Sequence, residues 1–237
     1  MTKIIAHRGA SNVTPENTMA AFEKAKKMGA DGVELDVHVL PDKTVAVHHD
    51  AQLGRCEYAT GSIYDYRRDN IKSFSVGEKF SLRYTGETVP YLEEALEFLK
   101  ENKLQLNCEI KCDTGFCFAY EEIIKLLYHH GMAEDTILSS FDHRILLAVK
   151  EKYPRVKLGV LYHQTYGIDV IDYCVNNAFH ALHPHFSLVD QNFVKRAHEN
   201  GLLVNVWTVD ELTDIMQMKE YGVDSIITND LETAQRY

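Results

Sequence analysis

Two histidines and three carboxylates are the residues of this 237-residue chain whose types and spacing could do chemistry. His7 follows the apolar run Ile4-Ile5-Ala6 and leads into Arg8 and Gly9; His49 ends the run Thr44-Val45-Ala46-Val47-His48 and precedes Asp50. Histidine titrates near neutral pH, as a general acid and a general base must. Between the two, Gly32-Val33-Glu34-Leu35-Asp36-Val37-His38-Val39 alternates apolar residues with Glu34, Asp36 and His38, so one strand face is greasy and the other acidic. Further on, Leu104, Leu106, Cys108 and Ile110 alternate with Gln105, Asn107, Glu109 and Lys111. Burying Glu34, Asp36 and Glu109 together is costly unless they are paired, protonated or bound to a cation. Lys111 balances only part of that charge. Oxygen ligands of this kind, with room for water, suit Mg²⁺ or Ca²⁺ better than zinc.

Each residue also has a plainer reading. A lone histidine at a strand end is more often structural. Alternating acids usually mark the solvated face of an antiparallel sheet, but parallel barrel strands have no such face, which makes Glu34 and Asp36 more telling. His48 points opposite to His49, so at most one of them faces a site. The pair His129 and His130 reads as a helix C-terminal cap. His183 and His185, flanking Pro184, line a mouth or merely pack. Trp207, the only tryptophan, is a substrate wall or a core residue.

The elements that would position these residues follow a rhythm. After the first strand, Thr14-Pro15-Glu16-Asn17-Thr18 reads as a helix entrance with Pro just inside the start. Ala20, Ala21, Phe22, Ala25 and Met28 recur at helical spacing until Gly29. Residues 51–88 break the rhythm with scattered aromatics (Tyr58, Tyr64, Tyr66, Phe74, Phe80, Tyr84) among Arg55, Arg67, Arg68, Lys72 and Arg83, as an insertion lying over a site would. From Val89 onward strands and helices alternate again: a stripe at Leu92, Ala95, Leu96 and Leu99, the Glu109 strand, a helix over 116–128, and so on to a last strand at Ser225-Ile226-Ile227-Thr228. With residues 44–49 counted as an extension of the second strand, eight strands alternate with eight helices. That is the pattern of an α/β chain folded as a (β/α)₈ TIM barrel, one domain over 1–237 with a small insertion after the second strand at about 51–88. A doubly wound open sheet is the alternative, but no Gly-x-Gly-x-x-Gly turn follows the first strand.

Composition is that of an ordinary globular domain, 45% hydrophobic and 25% charged, and so large enough for one sizeable core. A formal net charge of -10 argues against a nucleic-acid backbone binder. It does not argue against an anionic substrate, since a metal ion reverses the local sign of a site. No leader and no apolar run of membrane-spanning length is expected. Five cysteines (Cys56, Cys108, Cys112, Cys117, Cys174) match no zinc spacing, so reduced thiols in a cytoplasmic protein are expected. No heptad marks an oligomer seam, and a homodimer stands as one option for assembly.

Taken together, His7-Arg8-Gly9, Pro15-Glu16-Asn17-Thr18, Glu34-Leu35-Asp36 and His49-Asp50, in this order and spacing, resemble the glycerophosphodiester phosphodiesterase family. Glu109-Ile110-Lys111, Trp207-Thr208-Val209 and Thr228-Asn229-Asp230 fit it too, so the resemblance spans essentially the whole chain. It implies a (β/α)₈ barrel with the insertion noted above, and a divalent metal, Mg²⁺ or Ca²⁺, held by Glu34, Asp36 and Glu109. It also implies His7 and His49 as the acid-base pair, with Arg8 and Lys111 on the phosphate. Tyr91 stands where the family usually has threonine, and Pro41-Asp42-Lys43 replaces its acidic-glycine turn; neither touches the implied chemistry.

The reaction so implied is hydrolysis of a small-molecule glycerophosphodiester to glycerol 3-phosphate and an alcohol; we assign His49 as acid and His7 as base, although spacing does not separate the two roles, and place Trp207 beside the substrate. Three rival readings accompany it: a lysophospholipase D-type enzyme acting on lysophospholipids, a metal-dependent sugar-phosphate isomerase or aldolase on the same fold, and a non-catalytic binding barrel.

Overall fold

The computed structural model describes residues 1–111, 119–165 and 167–236. Eight parallel strands close into a barrel: β1 (Lys3–His7), β2 (Gly32–Val39), β6 (Gln105–Ile110), β7 (Thr136–Ser140), β8 (Lys157–Tyr162), β9 (Ala181–Pro184), β10 (Leu203–Val206) and β11 (Ser225–Thr228). Closure is made by β1, which pairs with β11 through Lys3 and Ser225 and with β2 through Ile5 and Gly32. Helices α1 (Met19–Lys27), α2 (Leu92–Glu101), α3 (Tyr120–His129), α4 (His143–Lys152), α5 (Val170–Asn176), α6 (Gln191–Glu199), α7 (Leu212–Tyr221) and α8 (Leu231–Arg236) surround it.

The alternation along β2 does what its pattern dictates. Val33, Leu35, Val37 and Val39 join the core between strands and helices, while Glu34, Asp36 and His38 are buried on the opposite face. The α2 stripe Leu92, Ala95, Leu96 and Leu99 is likewise wholly buried against the sheet. Apolar area removed from water across such faces throughout the barrel is the main favourable contribution to the fold.

Two local expectations differ from the structure. Pro15 does not sit inside α1. The helix starts after Thr18, whose hydroxyl accepts from Ala21 N at 3.1 Å, because Asn17 is held at φ +54° with its side chain turned to Asp36. Residues 44–49 do not extend β2 either; Val45–Val47 returns antiparallel to it as β3, with Val37 opposite Val47. The hairpin turn is Pro41-Asp42-Lys43, with Lys43 in the left-handed region at φ +71°. The helix expected over 116–128 is described from Tyr120 to His129; the start of its expected span, with Cys117, and the preceding Cys112 lie outside the described residues.

Between β3 and α2 the chain forms a two-stranded ribbon, β4 (Gln52–Leu53) with β5 (Gly61–Ser62), and three single-turn 3₁₀ segments. These pack on a second small core of Leu40, Ala46, Leu53, Ile63, Ile71, Val76 and Val89. Leu40 and Ala46 flank the hairpin, so the segment is rooted on β2 and β3. Among the described residues no helix is long and apolar enough to cross a membrane.

Candidate active site

The first turn of the site is shaped by backbone conformation. Arg8 and Gly9 both have positive φ, +56° and +80°. A Cβ on Gly9 would sit 2.6 Å from Ala21 Cβ on α1, so only glycine lets the loop lie this close to the helix. The turn aims the Arg8 backbone N–H at Glu34, which accepts it at 3.0 Å.

Glu34, Asp36 and Glu109 each present a carboxylate oxygen within 4.8 Å of the others, and all three are buried. Asp36 pairs across the β2–β6 ladder with Glu109, which accounts for the approach. Asn17 clamps Asp36: its Nδ2 donates to Oδ2 at 2.8 Å, and its Oδ1 accepts from the Asp36 N–H at 3.3 Å. Lys111 Nζ lies 3.0 Å from Asp36 Oδ1 and 2.5 Å from Glu109 Oε1, and Arg8 Nε lies 3.3 Å from Asp36 Oδ2.

Two cations facing three anions leave the cluster short of positive charge. Burial first, then Asp36 and Glu109, hold the Glu34 carboxyl well above the ordinary range, and burial with Asp36 raises Glu109 to about 7. Burial pushes Asp36 upward as well, but Lys111 and Arg8 outweigh it and bring it down. Asp36 Oδ1 has the Lys111 charge nearby yet no hydrogen bond of good geometry. An orphaned, buried oxygen within a hard-oxygen triad is a donor set that fits a divalent cation.

The histidines approach this triad from different sides. His7 Nε2 lies 3.9 Å from Glu34 Oε2, and its Nδ1 lies 2.7 Å from Asn229 Oδ1. Burial, then Arg8, lowers its pKa to about 4. His49 pairs through Nδ1 with Asp50 Oδ1 at 2.7 Å; burial lowers its pKa, with Lys111 and Arg8 adding to the shift and Asp36 and Asp50 opposing it. His7, Arg8, Glu34, His49, Glu109, Lys111 and Trp207 line one cavity of about 110 Å³. Beside it opens a groove of about 840 Å³ that shares His49, Glu109 and Lys111 and continues along Asp50, Gln52, Ser140, Phe141 and Asp142. All eight residues singled out from the sequence thus converge on one mouth, Asp36 lying just behind the cavity wall.

The other histidines separate from the site. His48 turns away, with Nδ1 2.9 Å from Asp50 O and Nε2 3.3 Å from Glu57. His183 is buried beneath the mouth, its Nε2 accepting from Asn205 at 3.0 Å, and burial takes its pKa to about 3. His185 caps a 3₁₀ turn and meets Trp207 edge-on. Trp207 donates to His183 O at 2.8 Å and packs edge-on to Phe141, so its ring is fixed as cavity wall.

Reasoning from sequence missed the supporting residues. Glu16 accepts from Arg8 at 2.9 Å, and Arg55 of the insertion bridges Glu16 (2.6 and 2.8 Å) to Asp50 (2.6 Å). Asp210 holds Asn229. Glu16, Asn17 and Asn229 stood inside quoted motifs; Arg55 and Asp210 carried no such signal.

The model of the glycerophosphoryl diester phosphodiesterase family matches residues 7–233. The chain is 36% identical to the glycerophosphodiester phosphodiesterase of Caldanaerobacter subterraneus subsp. tengcongensis, over 98% of this chain and 96% of the relative. It is 34% identical to that of Bacillus altitudinis, over 97% and 95%. Among solved structures, an Oleispira antarctica phosphodiesterase in complex with the product sn-glycerol-3-phosphate superposes with a TM-score of 0.92 at 26% identity, covering 100% of this chain and 96% of that one. A barrel with these motifs, matched from residue 7 to residue 233, is an enzyme of the glycerophosphoryl diester phosphodiesterase family.

Proposed function

We propose that this enzyme hydrolyses deacylated glycerophosphodiesters, such as glycerophosphocholine and glycerophosphoethanolamine, to sn-glycerol 3-phosphate and the free alcohol. The observation that carries the reading is the meeting of two histidines with Glu34 and Glu109 of the buried acidic triad in one cavity, Asp36 completing the triad behind its wall. The small chamber is sized for a phosphoglycerol unit, and the wider groove beside His49 gives the departing alcohol a route out. Residues 51–88 act as a cap on that side of a single barrel domain spanning 1–237. Free thiols at Cys56, Cys108 and Cys174 accord with a cytoplasmic setting.

Glu34, Asp36 and Glu109 would hold a divalent ion, Mg²⁺ or Ca²⁺. Bound there, it would supply Lewis-acid stabilisation of charge on the phosphoryl oxygens. Arg8 and Lys111 border the same position and add fixed positive charge where the transition state gathers negative charge. His7 takes the proton from the nucleophile, either water or the glycerol 2-hydroxyl by way of a cyclic phosphate. His49 gives a proton to the leaving alkoxide as the P–O bond breaks. A carboxylate on Nδ1 suits a ring that must carry positive charge, and Asp50 supplies one to His49. A neutral amide suits a ring that starts neutral, and Asn229 supplies one to His7. The Trp207 ring forms an apolar wall for the glycerol carbons.

The test is release of glycerol 3-phosphate from both diesters in a coupled dehydrogenase assay, with Mg²⁺, with Ca²⁺ and with excess EDTA, for wild type and His49→Ala. Release that needs metal and is lost in the variant is expected. Release from lysophospholipids alone would move the substrate class to acylated lipids. Full activity in EDTA would remove the metal from the mechanism.

A further inference from the structure

His7 Nδ1 meets the side-chain oxygen of Asn229, not its nitrogen, and a third residue decides which way round that amide lies. Asp210 accepts from Asn229 Nδ2 at 2.7 Å, from the Asn229 backbone N–H at 2.8 Å and from Thr228 Oγ1 at 3.0 Å. A carboxylate accepts hydrogen bonds and has none to give when ionised, so the amide must turn its NH₂ to Asp210. The flipped amide would set two oxygens against each other at hydrogen-bond distance. With Nδ2 committed, Oδ1 faces His7, where Ser11 Oγ also approaches it at 2.8 Å. An amide oxygen only accepts. His7 Nδ1 must therefore carry the hydrogen, and the lone pair of the neutral ring is left on Nε2, the nitrogen that looks toward Glu34.

We infer that Asp210, acting through Asn229, is a positioning device that fixes His7 in the Nδ1–H tautomer and so leaves Nε2 free to accept a proton in the cavity. Neither residue touches the substrate position or the acidic triad. Their effect passes through one ring. The inference rests on His7 being the base, but it concerns the state of His7 before any substrate is present.

Ring ¹⁵N chemical shifts of His7 read the tautomer directly. They are measured on metal-free protein carrying ¹⁵N-histidine, at pH about 8, where ordinary imidazoles are neutral. The His7 signals are identified by their loss in His7→Gln. Wild type is expected to show a protonated-type Nδ1 and a bare Nε2. Asp210→Asn keeps the shape but lets the amide turn, and should move both shifts toward a mixture of tautomers. The same variant should lower kcat roughly 10- to 10³-fold with KM little changed, since a base in the wrong tautomer binds substrate but cannot take its proton. Asn229→Ala, which removes the acceptor outright, should do the same; far-UV circular dichroism checks that it folds. A wild-type His7 with its hydrogen on Nε2, or an Asp210→Asn enzyme with unchanged shifts and unchanged kcat, overturns the inference. Full activity in His7→Ala overturns the reading of His7 as base instead, and leaves the tautomer result standing.

Discussion

His7 and His49 face one cavity from regions built in different ways. The His7 side is barrel framework: β1 ends there, β11 lies alongside, and the supporting residues Asn229 and Asp210 come from the loops after β11 and β10. The His49 side hangs from the hairpin strand β3, and its support is the neighbouring Asp50, itself held by Arg55 from the insertion. One ring is oriented by a neutral amide deep in the closure of the barrel. The other is oriented by a carboxylate at its half-exposed rim. The partners differ in the charge they favour: a neutral amide leaves the deep ring neutral, whereas the carboxylate on the rim ring opposes, without cancelling, the lowering of its pKa by burial.

The largest effects come from removing the rings. His7→Ala and His49→Ala should each lose roughly 10²–10⁴-fold in kcat. The comparison is sharpened by the leaving group. With a glycerophosphodiester of an acidic phenol, whose anion needs no proton to depart, His49→Ala should regain most of its rate and His7→Ala should not. Equal rescue of both variants breaks the distinction between them.

The triad between the rings adds a pH dependence. Glu109 is raised to about 7 and Glu34 also lies above its ordinary range, so as pH falls below about 7 a metal ion would have to displace protons to bind. Affinity for Mg²⁺ should weaken as pH falls below about 7, by roughly tenfold per unit for each proton displaced. Titration calorimetry at several pH values reads this; a flat affinity between pH about 5 and 7 contradicts it.

Asp50→Asn tests the rim side alone. Losing that negative charge lowers the His49 pKa further, so the fraction of enzyme holding the proton is smaller at neutral pH. The alkaline limb of the kcat profile should move to lower pH, with a loss of roughly 10- to 10²-fold at neutrality. Arg55→Ala should give the smallest change. Its side chain is 48% exposed, so its ion pairs contribute below about 1 kcal/mol to stability. A severalfold loss of kcat is expected there, through a looser Asp50, together with a thermal midpoint near that of wild type.

How much of this was legible in the sequence divides along the same line. The period-two runs around Glu34 and Glu109 give strand, facing and burial together, because a one-residue slip would put valine in the site and carboxylates in the core. The histidines were legible by position at strand ends. The partners that orient them were not. His7 and Asn229 are 222 residues apart and meet only because β1 closes on β11, a fact of topology that no local period encodes. Arg55 lies in a segment without period, where position depends on turns and side-chain packing. β3 was misassigned for a related reason: alternation gives the faces of a strand but not its direction. The signal for reversal was Pro41-Asp42-Lys43, a turn read only as a departure from a family pattern.

β2 carries one further consequence. All eight of its residues are buried; β6 runs along one edge, and β1 followed by β3 occupies the other. The strand that bears Glu34 and Asp36 is thus also the root of the insertion. Swinging the insertion away as a hinged flap would unzip the far end of that strand. The amides of His38, opposite Ala46, and of Leu40, whose N–H donates to Thr44 O at 2.8 Å, should therefore exchange with solvent only as slowly as those of the barrel wall, and the insertion and barrel should melt in a single cooperative transition.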